Sequence, residues 1–373
     1  VAIDCVTKHT AMIYDRGGRN KIAELTDVSQ VIWNRVRDDI SDASVMLSGA
    51  SCYAQNELLS SLRSGRHELV LYRGEDRVWE GPITRLAGQR DSFGIYAKDV
   101  MHYVSRTVMQ SAYSSAYPAV TYAISRINTI LTAEITRKQN AELLVNPDIP
   151  DYNILPHVVL HQTATDAKTA AITKAYQYTV WEHIDSLASM GGIDYTVIGR
   201  AIHFWDTHQR LGLTPVVTQN DFLGDITVTE YGMELATKAI VTDGQGNSGT
   251  AGGADAYYGL VERLATAYDE SEGATPPTSA EMASQAQRNL SGRNPAPIQV
   301  RVPDNSSVNP LGVLTVHDLV PGVWMPLRAE VIGFQLEQMQ RLNTVRFTET
   351  GRGESITMTL YPAAIGDDSP PLS

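Results

Sequence analysis

The chain has 373 residues, 43% of them apolar and 19% charged, and its 42 acidic against 30 basic side chains leave a formal net charge of −12. That apolar content fills more than one core and excludes a disordered chain. Two cysteines, Cys5 and Cys52, exclude a disulfide framework, and no charge-free apolar run has the roughly 18 residues of a membrane span. The acidic balance opposes phosphate binding, because nucleic-acid binders gain affinity from Lys and Arg that release counterions; DNA is not expected as an adhesive partner. Val1-Ala2-Ile3-Asp4 has neither a basic leader nor an apolar segment, the opening expected of a leaderless chain.

The first hundred residues read as short strands between turns. His9–Tyr14 precedes the turn Asp15-Arg16-Gly17-Gly18, and Val28–Val36 alternates, with Val28, Ile32, Asn34 and Val36 on one parity and Val31, Trp33 and Arg35 on the other, neither purely apolar. Ala43–Leu47 is apolar, and Leu58, Leu59 and Leu62 fall at helical spacing before Gly65. Leu69–Arg73 and Arg77–Trp79 flank Gly74-Glu75-Asp76, the composition of a hairpin loop that needs a positive φ. Ile83–Leu86 and Phe93–Ala97 follow as further strands, and the series predicts a small barrel or sandwich.

From about residue 106 the period changes. Ile124, Ile127, Leu131 and Ile135 share one face of a predicted helix that starts near Pro118 and ends before Asn146-Pro147. Thr179-Val180-Trp181-Glu182 has the form of a capping box, Val180, Ile184, Leu187 and Ala188 give the apolar face, and Gly191-Gly192 ends the helix. Ile193–Val197 and Ala201–Phe204 bracket Ile198-Gly199-Arg200 as a hairpin. From Asn220 the pattern returns to strands: Ile226–Val228, Ala239–Val241, Ile298–Val302, Val313–Val316, Trp324–Leu327, Val331–Leu336, Thr344–Phe347 and Ser355–Leu360. Asp243–Asp255 is expected as a flexible loop, and Gly273–Pro277 as a breaker. A capped helix is expected from Thr278-Ser279-Ala280-Glu281 through Leu290, and 365–373 as an exposed tail. Leu62-Arg63-Ser64-Gly65 leads into Leu69–Arg73 and Leu319-Val320-Pro321-Gly322 into Trp324–Arg328, a layout compatible with a duplicated barrel but with too few identities to establish one.

Catalytic signatures are weak throughout. His157 and His161 have the spacing of helical metal ligands, but Pro156 and Val158-Val159-Leu160 favour a strand, and no metal or cofactor is expected; His203 and His208 are read as surface residues. Ser48-Gly49 and Ser291-Gly292 lack the nucleophile elbow, and Cys5 and Cys52 are read as small buried hydrophobes. Asp185, Asp194, Glu230 and Glu234 offer carboxylates for a glycosidase pair, against the simpler reading of solvated acids. Gly244–Gly253 lacks the GK[ST] ending of a phosphate cradle and is read as a loop. More distinctive is Trp79-Glu80-Gly81-Pro82: an aromatic for a core or interface, a glycine for an unusual backbone, and a proline that bends the strand or places it at an edge. Asp99 and Arg106 are candidates for a local charged pair after it.

Leu47-Ser48-Gly49 with Cys52, the Leu58–Leu62 segment, His67–Arg73, Val78–Thr84, and Ala97-Lys98-Asp99-Val100 with Tyr103 and Arg106 together resemble minor tail proteins of long-tailed (siphovirus-type) actinobacterial phages, of the tail-tip or baseplate hub type. The resemblance is densest over 22–110, looser through Thr179–Phe204, and one of layout in the C-terminal third. It implies an α+β, β-rich fold with two small β-barrel-like domains, at 1–110 and 219–364, around a mixed α/β insertion at 111–218. It also implies a non-enzymatic homotrimer at the distal end of the virion tail, joining the tube and distal tail proteins to tip or fibre proteins around a lumen through which DNA passes. An acidic lumen repels rather than traps that passenger. Trp79, Gly81, Pro82, Asp99 and Arg106 are then scaffold positions. Two rivals are a tail-associated cell-wall hydrolase, which needs acids converging in a cleft, and a carbohydrate-binding receptor module, which needs Trp181, Trp205 and Trp324 exposed as a platform.

Overall fold

The computed structural model describes residues 9–112, 123–145, 157–161, 176–207, 209–267, 278–290, 293–296, 298–301, 307–309, 311–331 and 333–363. The predicted loop 273–277, the tail 365–373, Cys5 and His208 lie outside them.

The N-terminal part comprises β1 (His9–Asp15), β2 (Lys21–Leu25), β3 (Val28–Val36) and β4 (Asp42–Ser48), the short helices α1 (Ala50–Ala54) and α2 (Asn56–Ser61), then β5 (His67–Arg73), β6 (Asp76–Gln89), β7 (Ser92–Lys98) and α3 (Met101–Ser105). The structure decides between the two parities of β3: Val31, Trp33 and Arg35 point inward and are buried. Arg35 is held there by carbonyls, donating from Nη2 to Val78 O at 2.9 Å and from Nη1 to Leu319 O at 3.3 Å. Its guanidinium lies 5.1 Å from the Trp33 ring centroid, and burial lowers its pKa to about 10. Ile83–Leu86 is not a separate strand. β6 runs unbroken from Asp76 and changes partner on the way, pairing with β5 up to Pro82 and with β7 from Ile83.

The middle part contains α4 (Ala123–Val145), β8 (His157–Leu160), α5 (Val180–Gly191), β9 (Ile193–Ile198) and β10 (Ala201–Asp206). Ile124, Ile127 and Leu131 are fully buried on one face of α4. The capping box of α5 forms: Glu182 N donates to Thr179 Oγ1 at 3.3 Å, and Thr179 N donates to Glu182 Oε2 at 2.8 Å. Gly192 closes the helix in the left-handed conformation, φ 65°. β9 and β10 form the hairpin, and β8 adds to β10 in parallel. Val100 through Phe204 supply a second hydrophobic core.

The last part comprises β11 (Val217–Thr218), β12 (Phe222–Leu223), β13 (Thr227–Glu230), β14 (Lys238–Thr242), β15 (Ser248–Gly252), β16 (Glu262–Thr266), α6 (Ser279–Leu290), β17 (Ile298–Arg301), β18 (Ser307–Val308), β19 (Trp324–Val331), β20 (Phe334–Thr350) and β21 (Gly353–Pro362). The expected loop at 243–255 is corrected: Ser248–Gly252 is a strand, and with β14 and β16 it covers α6 around a small third core. The glycines there serve close packing. A Cβ at Gly249 would lie 2.1 Å from Ala283 N, inside the helix backbone. Val313–Val316 is not a strand; the Thr315 amide and hydroxyl both donate to Asp318 Oδ2 at 2.7 Å and fold 316–318 into a 3₁₀ turn. Val331–Leu336 is divided between β19 and β20 by a turn with Gly333 at φ 86°.

Strands from both ends share one sheet. Its principal ladder runs β13-β17-β21-β20-β3-β4-β7-β6-β5-β1-β2, with β19 beside β20 and β11 beside β19, and among the described strands the ladder does not close into a ring. One continuous core joins Ala11 to Leu360. Within it one unit occurs twice: β3-β4-β7-β6-β5 has the same antiparallel order as β13-β17-β21-β20-β19. Each unit has a buried leucine, Leu62 or Leu319, followed three residues on by a positive-φ glycine, Gly65 or Gly322. The two glycine amides donate to Ile83 O and Leu342 O, both at 2.8 Å, and the register slips immediately beyond each acceptor. The units are stitched by β3 pairing with residues 344–350 of β20, where Trp33 stacks on Phe347 at 3.8 Å and 6°.

Candidate functional site

The corner Trp79-Glu80-Gly81-Pro82 lies where β6 passes between partners, and a buried charge junction forms around it. Trp79 is buried in the main core. Gly81 is required by contact: a Cβ there would lie 1.9 Å from Lys98 O and 2.8 Å from Asp99 Cα. Pro82, opposite Glu68, ends the β5 pairing, where its missing amide costs no ladder bond to the next partner. Glu68 is fully buried and accepts from Gly17 N at 2.9 Å, Tyr103 Oη at 2.5 Å and Arg200 Nη1 at 2.6 Å. Arg200 also reaches Glu80 Oε2 at 3.3 Å, and Arg77 meets the same oxygen at 2.5 Å. Burial raises the Glu80 pKa against the opposing pull of Arg77 and Arg200. This junction fixes the β9–β10 turn of the middle part to the N-terminal sheet.

Asp99 and Arg106 are not brought together. The buried Asp99 carboxylate accepts from Ser41 N at 2.6 Å and Met101 N at 2.9 Å, tying the start of α3 to the entrance of β4. Burial raises its pKa to about 7. Arg106 is exposed at the end of α3, and no ion pair among the described residues joins the two.

Two further junctions hold the parts together. Asp194 on β9 pairs with Arg37 at 2.8 Å and with Arg341 of β20 at 2.9 Å, and Arg37 also meets Asp38 at 3.1 Å. Asp38 exchanges backbone and side-chain bonds with Tyr195, and burial, followed by the charge of Asp194, raises its pKa to about 7. At the other end His9 Nδ1 lies 2.7 Å from Glu349, while Arg73 pairs with Glu354 at 2.9 Å.

Asp185 and Asp194 line one cavity of about 310 Å³ with Asp38, Tyr195 and Thr207, but Asp194 is engaged by two arginines and Asp185 accepts from Tyr195 Oη at 2.9 Å. Glu234 instead joins Arg263 and Arg293 on the surface, and Glu230 is exposed on β13. Trp205 and Trp324 are buried and Trp181 packs half-buried on the second core, so they form no exposed platform. His157 opens β8 and His161 follows its last residue, and His161 Nε2 lies 2.6 Å from His203 Nδ1. No group of three or more potential ligands for a metal occurs among the described residues. Cys52 packs half-buried against the main core.

Sequence reasoning missed Glu68, Arg200 and Arg341. The available signal for the first was Glu68 directly ahead of the apolar run Leu69–Leu71 on a strand, where a buried carboxylate needs donors to meet it.

No protein-family model matches the chain, and no curated protein matches it in sequence. Among solved structures it is similar to the 43 kDa tail protein of prophage MuSo2 from Shewanella oneidensis, with a TM-score of 0.61, 10% identity, and coverage of 95% of this chain and 98% of that one. The prophage tail protein gp18 from Listeria monocytogenes EGD-e gives 0.60, 12%, 94% and 94%. The tail protein from Neisseria meningitidis MC58 gives 0.57, 11%, 95% and 96%. The chain therefore has the β-rich fold of phage tail proteins. Because the coverage is nearly complete in both directions, the likeness extends across all its parts.

Proposed function

We propose that this chain is a non-enzymatic minor tail protein forming the hub at the distal tip of a siphovirus-type phage tail. It assembles as a homotrimer and joins the tube and distal tail proteins to tip or fibre proteins, around the channel through which DNA leaves. The whole-length likeness to three tail proteins carries this reading. The doubled β unit supports it, since three copies of a twice-repeated unit surround an axis with near sixfold symmetry. We divide the chain at 1–110, 111–218 and 219–364, with Trp79, Gly81, Pro82 and Asp99 as scaffold rather than reactive positions. The buried ion pairs around Arg200 and Arg341 then keep the insertion rigid on the hub.

Symmetry-free image reconstruction of intact particles labelled on this chain tests the proposal. Three copies in a ring at the distal end of the tube are expected. Label on peripheral fibres, or on no virion, overturns it and favours the hydrolase or the carbohydrate-binding module.

A further inference from the structure

The repeated unit leaves two edges open that have closed counterparts within the same chain. In the first unit β3 is paired on both sides, by β4 and by residues 344–350 of β20. Its counterpart β13 is paired by β17 alone among the described strands. Conversely, residues 344–350 of β20 lie between β21 and β3, whereas the corresponding end of β6, Arg85–Gln89, pairs with β7 alone among the described strands. One copy thus carries an unmatched β13 at one end of its sheet and an unmatched half of β6 elsewhere.

We propose that a second copy of this chain pairs its β13 antiparallel with Arg85–Gln89 of the first, repeating between subunits the β3–β20 seam within each. The inference rests on the assembly reading above and names the surfaces that perform it.

The register follows from the ladders. Ile83 and Leu342, each just before its register slip, face Ala97 and Leu360. Ala97 and Leu360 in turn face Ala43 and Val300, which face Trp33 and Val228. The internal pairs Trp33 with Phe347 and Asn34 with Arg346 therefore translate into Val228 with Gly88 and Thr229 with Ala87 between copies. Side chains agree with this. Leu86, Ile226 and Val228 are apolar, only half-buried against the main core, and would be covered by the added pairing. An unpaired ladder edge backed by incompletely covered apolar residues is a template for another strand. Because the two edges differ, the contact is head-to-tail, and it must close into a ring or continue as a filament.

Two measurements test the proposal. In particles and in purified protein carrying Ala87→Cys with Thr229→Cys and no native cysteines, oxidation is expected to link copies covalently up to the number in the ring, whereas neither single variant links. In the unsubstituted chain, amide exchange across 85–89 and 227–230 is expected to slow at least tenfold on assembly. A ring of three at the tail end with no cross-link and unchanged exchange overturns this seam and leaves the hub standing. Cross-linked, protected multimers absent from the tail end support the seam and overturn the hub.

Discussion

The Trp33 indole N–H donates to His9 Nε2 at 2.9 Å, which leaves Nδ1 as the nitrogen that carries the His9 hydrogen toward Glu349, 2.7 Å away. An indole nitrogen only donates, so Nε2 is the acceptor and the two contacts fix the ring's orientation between β3 and β20. The β1 end of the sheet is thereby latched to the strands it does not pair with.

Replacing His9 with Phe retains a ring of similar breadth but leaves the buried Trp33 N–H without its acceptor. We expect a loss of about 1–3 kcal/mol in urea unfolding, the desolvation cost of one orphaned donor. A second change, Trp33→Phe, should recover part of that loss in the double variant; strict additivity of the two would show that the bond does not couple them.

Gly65 and Gly322 occupy corresponding positions, yet they should respond differently to alanine. A Cβ at Gly65 meets nothing within 4 Å, so Gly65→Ala carries only the strain of φ 75°, about 1 kcal/mol. At Gly322 the Cβ would lie 2.3 Å from the fully buried Trp205 ring, adding roughly 1–3 kcal/mol of overpacking. Equal melting temperatures for the two variants would contradict this.

Asp99 gives the fold a pH dependence of unusual sign for a carboxylate. Its folded pKa, about 7, lies above the unfolded value of 3.8, so the native state binds the extra proton between those limits. Stability from this residue is therefore greatest at low pH, declines as pH rises through that window by up to about 1.4 kcal/mol per unit, and is level above 7. Asp99→Asn should flatten the profile measured by urea unfolding from pH 5 to 8, with a fixed loss of about 1 kcal/mol for the amide its nitrogen cannot accept from. A slope unchanged by the substitution would exclude Asp99 as its source.

Arg200→Met strands Glu68 and Glu80 without their shared cation and should cost about 3–5 kcal/mol. Adding Glu68→Gln should return a large part of it, because the neutral amide no longer needs a counter-charge. The two-by-two set of unfolding free energies measures the coupling directly.

Most elements were legible because their signals are local. The Thr179–Glu182 box, the alternation of Val31, Trp33 and Arg35, and the Gly74 hairpin are each decided by neighbouring residues. β15 was not legible, since Gly249 looks like a loop residue until α6 is placed against it. The charge junctions were hidden for the same reason: Glu68 and Arg200 are 132 residues apart, and a distance of that kind leaves no periodicity to read. The duplication had left a trace, Leu62 to Gly65 against Leu319 to Gly322, but its proof lies in matched hydrogen bonds rather than matched letters.

The latch at His9 joins residues 340 positions apart. A ribosome adding about 5–20 residues per second needs on the order of 17 to 70 seconds to cover that distance, so β1 and β3 emerge long before β20 and β21 exist to cover them. Throughout synthesis the nascent chain presents Trp33 without its stacking partner and a sheet with an unfinished margin. The main core, which includes Phe347 and Leu360, is accordingly completed only after translation of its last strands.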